Sequence, residues 1–174
     1  IMLLAHGTTG CYQSTYMQRM CRRLHKKGYL VLRLNLRFCG PGKGLARRPY
    51  HAGLSDDTRF VLEWIKRQYP KSPVTQIGFS LGGNLTLKMA GEDGSRTSGN
   101  LDSIVAVSPP VDVGAAVTKV SQRENRVFER SFLNYLVHDV KLMHELFPEQ
   151  GRIEFPKDLN IRKFDELYTA PASG

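Results

Sequence analysis

The sequence predicts an α/β fold, in which a mostly parallel sheet carries flanking helices and a helical cap. Over the first 110 residues, short β-branched apolar runs alternate with stretches that place apolar residues at helical spacing. From residue 111 onward this alternation stops, and residues from about 121 to 146 are predicted to be helical and are rich in charge. We therefore expect a core over residues 1–110 and a cap with its return segment over residues 111–174.

The core segments follow one another in strand–helix order. Apolar residues recur at helical spacing after Ser14 and Ser55, two residues that can cap helices, and Gly28 ends the first of these stretches. The basic loop Arg37–Gly53 and the polar loop Gly91–Asn100 separate elements. The predicted strands are Met2–Ala5, Tyr29–Leu36, Val74–Ile77 and Leu101–Ser108. The residues predicted to be buried in the first two helices are Met17, Met20, Cys21 and Leu24, then Phe60, Val61, Trp64 and Ile65.

The cap is predicted to contain one long helix, from about Ser121 to Leu146, with Pro148 beyond its end. Residues 152–174 show no periodicity and are predicted to be irregular. The expected apolar face of the cap helix consists of Val127, Phe128, Phe132, Leu136, Val140 and Met143.

Composition limits the classes of function. The 174 residues are 41% hydrophobic, and no apolar run is long enough to span a bilayer, so we expect a globular domain. Cys11, Cys21 and Cys39 lack metal-type spacing, which favours a reducing, cytoplasmic location and buried thiols. The net charge of +9 suits a solvated basic surface or peripheral contact with an anionic membrane, whereas no motif indicates nucleic-acid binding. Composition does not determine the oligomeric state.

The most informative motif is Gly78-Phe79-Ser80-Leu81-Gly82, which has the form G-x-S-x-G. A predicted strand precedes it and Leu85 and Met89 continue it at helical spacing, so the motif forms a nucleophile elbow. In this interpretation Ser80 is the nucleophile. Gly78 and Gly82 stand where a side chain would collide with the neighbouring strand and helix. A turn without chemistry is the alternative, and a phosphate-binding loop is disfavoured because the motif lacks lysine.

A second motif, His6-Gly7-Thr8, follows the first strand. In enzymes with a nucleophile elbow, the oxyanion is bound by the N–H after the nucleophile and by an N–H from a loop after an earlier strand. We therefore assign Leu81 and Thr8 as the oxyanion donors, with Thr9 in reserve. His6 is interpreted as a structural histidine that holds this loop.

Several motifs together resemble the YheT-like branch of the α/β-hydrolases, nearly from end to end. The resemblance implies a carboxylic-ester hydrolase of the serine type that acts on small-molecule or lipid esters without a metal or organic cofactor, and it carries over Ser80, Leu81 and Thr8. Phe38 departs from the pattern, in which we expect a glycine. The motifs are His6-Gly7-x-x-Gly10, Asn35–Gly40, Tyr50–Gly53, Asp57–Phe60, Gly78–Asn84 and Phe164–Pro171.

The sequence offers no evident partner for the serine. After Ser80 the only histidines are His138 and His144, both in the predicted cap helix. We therefore expect the triad acid and histidine beyond Gly174, a chain truncated at both ends, and little activity from this chain alone. His138 as a substitute base and Asp112 as an alternative acid are the weaker hypotheses, and capping of the next turn suits Asp112 better.

Two other classes of function use the same features. An acyltransferase would have the same elbow but would pass the acyl group to an alcohol instead of water. A non-catalytic binding module with the same fold would keep its function when Ser80 is replaced. Partition of the acyl-enzyme between water and an added alcohol distinguishes an acyltransferase from a hydrolase. Retention of function in a Ser80→Ala variant would identify a binding module.

Overall fold

The computed structural model describes residues 1–94 and 98–173, and its backbone confirms the predicted parallel sheet. Four parallel strands lie in the order β2-β1-β3-β4. This order places the carboxyl ends of β1 and β3, which precede the His-Gly-Thr and G-x-S-x-G motifs, next to each other, with Ala5 paired to Gly78. The strands are β1 (Met2–Ala5), β2 (Val31–Leu34), β3 (Val74–Phe79) and β4 (Leu101–Val107).

Helices cover both faces of the sheet because successive strand residues point to opposite sides. Leu4 contributes to the core beneath α1 (Thr15–His25), where Met17 is fully buried. Leu3 points the other way, into a core beneath α2 (Asp56–Gln68) and α3 (Leu81–Asp93). The predicted apolar stripe of the first helix, Met17, Met20, Cys21 and Leu24, packs on the sheet as expected.

Other details of the core differ from the predictions. The second strand begins at Val31, and Tyr29 and Leu30 before it are exposed. Phe60 and Trp64 were predicted to be buried but are 72% and 47% exposed, because Leu62 and Ile65 form the face of α2 that meets the sheet. The predicted loop over residues 91–100 begins later, since α3 continues to Asp93, and its residues 95–97 lie outside the described part.

The two predicted serine caps occupy the N-cap positions without capping the helices. The Ser14 hydroxyl accepts a hydrogen bond from the Cys11 N–H at 3.0 Å. The Ser55 hydroxyl donates to Glu92 at 2.6 Å and so links the start of α2 to the end of α3. Both hydroxyls therefore stabilise contacts outside their own helix ends.

The region after β4 is more helical than predicted. The sequence analysis missed α4 (Val113–Val120), and α5 (Arg126–Leu146) fits the long predicted cap helix. Residues 152–174 are not all irregular: α6 (Ile161–Phe164), a π-helical turn (Asp165–Thr169) and α7 (Ala170–Ser173) follow without a break, while residue 174 is outside the described range.

The apolar face of α5 is narrower than expected. Val140 and Met143 are buried, and Val140 packs with Phe164 and Tyr168, which explains why the terminal segment folds against this helix. The predicted face residues Val127 and Phe128 are instead 80% and 65% exposed. No helix within residues 1–94 and 98–173 is long and apolar enough to cross a membrane.

Candidate active site

Ser80 lies at a sharp turn between β3 and α3. Its backbone has φ 51° and ψ −120°, a conformation that L-residues with a side chain rarely adopt. The Ser80 N–H donates to the Val107 carbonyl at 2.9 Å, and its own carbonyl accepts from Asn84 at 3.0 Å. Ser80 is exposed, so the turn presents this residue at the carboxyl end of the sheet.

The turn can form only because its two flanking glycines have no side chain. A Cβ on Gly78 would lie 2.3 Å from the Gly82 carbonyl oxygen. A Cβ on Gly82 would lie 2.4 Å from the His6 oxygen and 2.7 Å from the Ala5 oxygen. The first turn of α3 is therefore packed against backbone at the end of β1, as the motif predicts.

The loop after β1 passes directly beside Ser80. A Cβ on Gly7 would lie 2.9 Å from the Ser80 Cβ and 3.5 Å from its Oγ, so the backbone of this loop approaches the serine closely. The Gly7 carbonyl accepts the Gly10 N–H at 3.1 Å and closes a tight turn. Within this turn Thr9 has φ +60°, which is strained for a β-branched residue.

His6 holds this loop from beneath. Its ring is fully buried, and its Nδ1 is 2.8 Å from the Gly7 oxygen while its Nε2 accepts the Leu36 N–H at 3.1 Å. These contacts fit a neutral ring that carries its proton on Nδ1, and burial lowers the pKa of His6, which favours that neutral form. Both nitrogens are occupied, so His6 is a structural histidine.

Three consecutive amides of the loop differ in their partners. The Gly7 N–H donates to the Tyr16 hydroxyl at 2.9 Å, and the Thr9 N–H donates to the Tyr50 hydroxyl at 2.7 Å. Between them, the Thr8 N–H donates to no group in the described part of the chain. Leu81 is the first residue of α3, where an N–H has no intrahelical acceptor. The reserve donor Thr9 is thus occupied, whereas the amides of Thr8 and Leu81 are available.

Ser80, Leu81 and Thr8 line one cavity of about 600 Å³. Its other side is formed by the cap, where α4, α5 and the terminal helices contribute mostly apolar side chains. The volume lies within the range of small-molecule sites, which are typically concave and mostly apolar with few polar groups. Cap residues in this wall include Val117, Val120, Phe132, Leu136, Met143 and Phe164.

Phe38 forms part of the cavity wall, although the resemblance predicts a glycine there. Its φ is +58°, which lies in the left-handed region that glycine favours. Its side chain is only 2% exposed. The loop therefore has a backbone conformation that suits glycine, while Phe38 contributes an aromatic residue to the same cavity lining as Thr8 and Tyr50.

One histidine, His51, lines the same cavity as Ser80. Its Nδ1 accepts the Gly53 N–H at 3.2 Å, and its pKa is lowered by burial and by the charge of Arg37. The sequence analysis did not consider His51, although its motif was part of the resemblance. His138, the substitute base considered there, is exposed and does not line the cavity in the described part of the chain.

Other titratable groups near the site have defined roles. Asp112 accepts the Ala115 N–H at 2.8 Å and caps α4, which confirms the capping role preferred for it. Asp139 pairs with Lys43 at 2.6 Å, and burial raises the pKa of Asp165.

Cys39 is buried, and desolvation raises the pKa of its thiol to about 12, so this thiol is a poor nucleophile. No cluster of three acidic, histidine or cysteine side chains suited to a metal ion occurs within residues 1–94 and 98–173.

Comparison with known proteins gives matches along nearly the whole chain. Residues 1–172 match the family described as alpha/beta hydrolase fold. "Putative esterase YheT" of Escherichia coli is 27% identical over 99% of this chain and 51% of its own length. Medium-chain fatty acid ethyl ester synthase/esterase 2 of Saccharomyces cerevisiae is 24% identical over 100% of this chain and 44% of its own length. Mouse phospholipase ABHD3 is 27% identical over 99% of this chain and 42% of its own length.

Solved structures give the same fold. An esterase of Pyrococcus furiosus superimposes with a TM-score of 0.57 and 21% identity, over 85% of this chain and 68% of the esterase chain. At this identity the likeness concerns the fold alone. The chain spans about half the length of the curated relatives that it matches.

Proposed function

The chain belongs to the alpha/beta hydrolase fold family, and on that premise we propose that it carries the nucleophile and both oxyanion donors of a serine carboxylic-ester hydrolase. In this proposal Ser80 attacks the ester carbonyl and forms an acyl-enzyme. The N–H groups of Leu81 and Thr8 stabilise the oxyanion of the tetrahedral intermediate, and water then hydrolyses the acyl-enzyme.

One observation carries the proposal, namely the juxtaposition of a strained serine with two amides that have no acceptor. Ser80 has φ 51°, and the Gly7 backbone lies close to its Oγ. Thr8 and Leu81, whose N–H groups have no acceptor in the described part of the chain, line the same cavity as this serine. A turn that only joined a strand to a helix would leave the N–H at the helix start free but would need neither the strained serine nor the unpaired Thr8 donor beside it.

The cavity supports esters with an apolar acyl group as substrates. The cap contributes a wall of aliphatic and aromatic side chains, and burial of each methylene there contributes about 0.8 kcal/mol. The relatives named above as a medium-chain ester esterase and a phospholipase agree with a lipid or small-molecule ester. We propose a medium-length acyl group in contact with Val117, Leu136 and Met143.

The proposal places the general base outside this chain. A base must lie within hydrogen-bond reach of the nucleophile, and none of the described hydrogen bonds joins the Ser80 Oγ to a histidine. We therefore propose that the triad acid and histidine belong to the remainder of the natural protein. External imidazole should then restore the missing proton transfer.

The test measures acylation of Ser80 by p-nitrophenyl esters of different chain length, with and without imidazole. Intact-mass spectrometry should detect one acyl group per chain, and its rate of formation should rise with imidazole concentration. A Ser80→Ala variant should show only the background reaction. Equal acylation of the wild-type chain and Ser80→Ala would contradict the proposed nucleophile and favour a binding module.

The same acyl-enzyme separates hydrolysis from acyl transfer. After excess ester is removed, loss of the acyl mass in buffer should yield the free acid. Added ethanol or glycerol would divert the acyl group to a new ester if the site favours an alcohol acceptor. Predominant ester formation at low alcohol concentration would assign the chain to the acyltransferases instead.

A further inference from the structure

We propose that the hydroxyls of Tyr16 and Tyr50 act as positioning groups that keep the Thr8 N–H directed into the cavity. The inference rests on the proposed function, because Thr8 is an oxyanion donor only if Ser80 is the nucleophile. The two tyrosines lie in different elements and neither belongs to the elbow or to the loop that they hold. We name them the tyrosine clamp.

The clamp fixes the peptide groups on either side of the one that bears the Thr8 N–H. In the peptide before it, the Gly7 N–H donates to Tyr16 Oη at 2.9 Å. In the peptide after it, the Thr9 N–H donates to Tyr50 Oη at 2.7 Å. Both distances are those of well-formed hydrogen bonds between neutral groups.

The central peptide is held through its oxygen. The Gly7 carbonyl is in contact with the His6 Nδ1 at 2.8 Å and accepts the Gly10 N–H at 3.1 Å. In a trans peptide the N–H points opposite to the carbonyl, so fixing the Gly7 oxygen also fixes the direction of the Thr8 N–H. The clamp and His6 thus control three consecutive peptide planes and leave one donor unused.

The loop requires this support because it is strained. Thr9 has φ +60°, a left-handed conformation that a β-branched residue adopts only when its surroundings enforce it. Without the Tyr50 hydroxyl, rotation of the Thr8–Thr9 peptide would relieve that strain and expose the Thr9 N–H as a competing donor. The Thr8 N–H would then lose its fixed direction.

Each tyrosine is itself well anchored. Tyr50 packs against the buried cluster of Leu36, Cys39 and Leu85, and its ring lies edge-on to His6 with centroids 6.4 Å apart. The Tyr16 ring packs against Phe79 with centroids 5.0 Å apart, directly before the nucleophile. Both hydroxyls are therefore held relative to β1 and β3, the strands that carry the two motifs.

The first arm of the test follows the amides by NMR in the isotopically labelled chain, with variants Tyr16→Phe, Tyr50→Phe and the double variant. Loss of a hydrogen bond should accelerate exchange of the Thr9 amide in Tyr50→Phe, and of the Gly7 amide in Tyr16→Phe, by about tenfold. The Thr8 amide resonance should shift in each variant. Tyr135→Phe, which changes an exposed tyrosine of α5, is the control and should alter none of these signals.

The second arm measures imidazole-dependent acylation of Ser80 in the same variants. The maximal rate at saturating ester should fall about tenfold in Tyr50→Phe, less than the roughly 10²–10³ that follows removal of an oxyanion donor. The ester concentration at half-maximal rate should stay unchanged, because the hydroxyl does not contact the acyl group. A merely structural loss would change both parameters and the thermal midpoint together.

The two proposals fail in different ways. Absence of Ser80 acylation in the wild-type chain would contradict the proposed function, whereas the Thr8 resonance would still show whether the clamp holds the loop. Unchanged Thr8 resonances in the double variant would overturn the clamp. Normal acylation rates in variants whose Thr8 signal has shifted would also overturn it, because the direction of this amide would then be irrelevant to the chemistry.

Discussion

The two sides of the cavity are built in different ways. On the sheet side, Thr8, Ser80 and Leu81 line the cavity, and close packing of backbone at Gly78 and Gly82 fixes the turn that carries Ser80. On the cap side, the wall consists of side chains from separate helices. Where backbone packs on backbone there is no room for an added Cβ. Substitutions in a wall of side chains can instead change the size of the cavity at a modest cost in stability. In the mechanism proposed above, the sheet side supplies the chemistry and the cap side selects among acyl groups.

The strongest test of this contrast adds one methyl group on the sheet side. Gly82→Ala would place a Cβ 2.4 Å from a backbone oxygen that cannot move aside, and we expect a loss of more than about 4 kcal/mol in the free energy of unfolding. Gly91→Ala is the matched control in the same helix. Its Cβ would meet nothing within 4 Å, so the change should stabilise the chain by about 0.5–1 kcal/mol. Urea denaturation of both variants measures the difference, and equal stabilities would contradict the packing described here.

A second test concerns Phe38, which combines a strained backbone conformation with a buried side chain in the cavity wall. Phe38→Ala removes a buried ring and should cost about 3–4 kcal/mol of unfolding free energy. Phe38→Gly removes the same ring but relieves the strain at φ +58°, so it should be about 1 kcal/mol more stable than the alanine variant. Thermal unfolding can show which of these two variants is the more stable. The usual order, with glycine less stable than alanine, would show that this backbone is unstrained.

A third test uses pH to probe the histidine beneath the loop. Burial lowers the pKa of His6 in the folded chain, so the unfolded chain binds more protons below its ordinary value of about 6.5. The free energy of unfolding should therefore fall as pH decreases below that value, by up to about 1.4 kcal/mol per pH unit. His6→Gln should reduce this slope, whereas His138→Gln, at an exposed site, should preserve it. An unchanged slope in His6→Gln would assign the effect to other groups.

The smallest expected effect is at the start of the cap. Asp112→Ala removes the side chain that accepts the Ala115 N–H at 2.8 Å, which should cost about 1 kcal/mol of unfolding free energy. Acylation of Ser80 should continue at its original rate, because a capping carboxylate takes no part in the chemistry. Asp112→Asn is the control and should retain most of the cap. A large loss of acylation with intact stability would instead identify Asp112 as a triad acid.

The same contrast explains what could be predicted from the sequence. The parallel sheet and the nearness of the two motifs follow from local patterns, because β-branched runs and glycines impose their geometry on neighbouring residues. His6 and Asp112 were also interpreted correctly, since each contacts backbone close to it in the chain, although the second contact of His6, with the Leu36 N–H, lies 30 positions away. The boundary between core and cap at residue 110 remains a prediction.

The remaining features depend on contacts between distant segments. Tyr50 reaches Thr9 across 41 positions, and the cavity wall needs the packing of Val140 against Phe164, which no local pattern shows. Phe60 and Trp64 have the spacing of a buried face, but a neighbouring face of α2 meets the sheet. Helix α6 and the π-helical turn after it have weak periodicity, and their Phe164 and Tyr168 pack against Val140 of α5.

The most direct test of the central claim is intact-mass labelling with a fluorophosphonate, followed by peptide mapping of the adduct. The account predicts slow labelling without imidazole, faster labelling with it, and an adduct at Ser80. Ser80→Ala should abolish the adduct, whereas Ser108→Ala, at a second cavity serine with positive φ, should leave it intact. Rapid labelling without imidazole that is lost in His51→Ala would show that the chain contains its own base. An adduct that persists in Ser80→Ala would contradict the nucleophile itself.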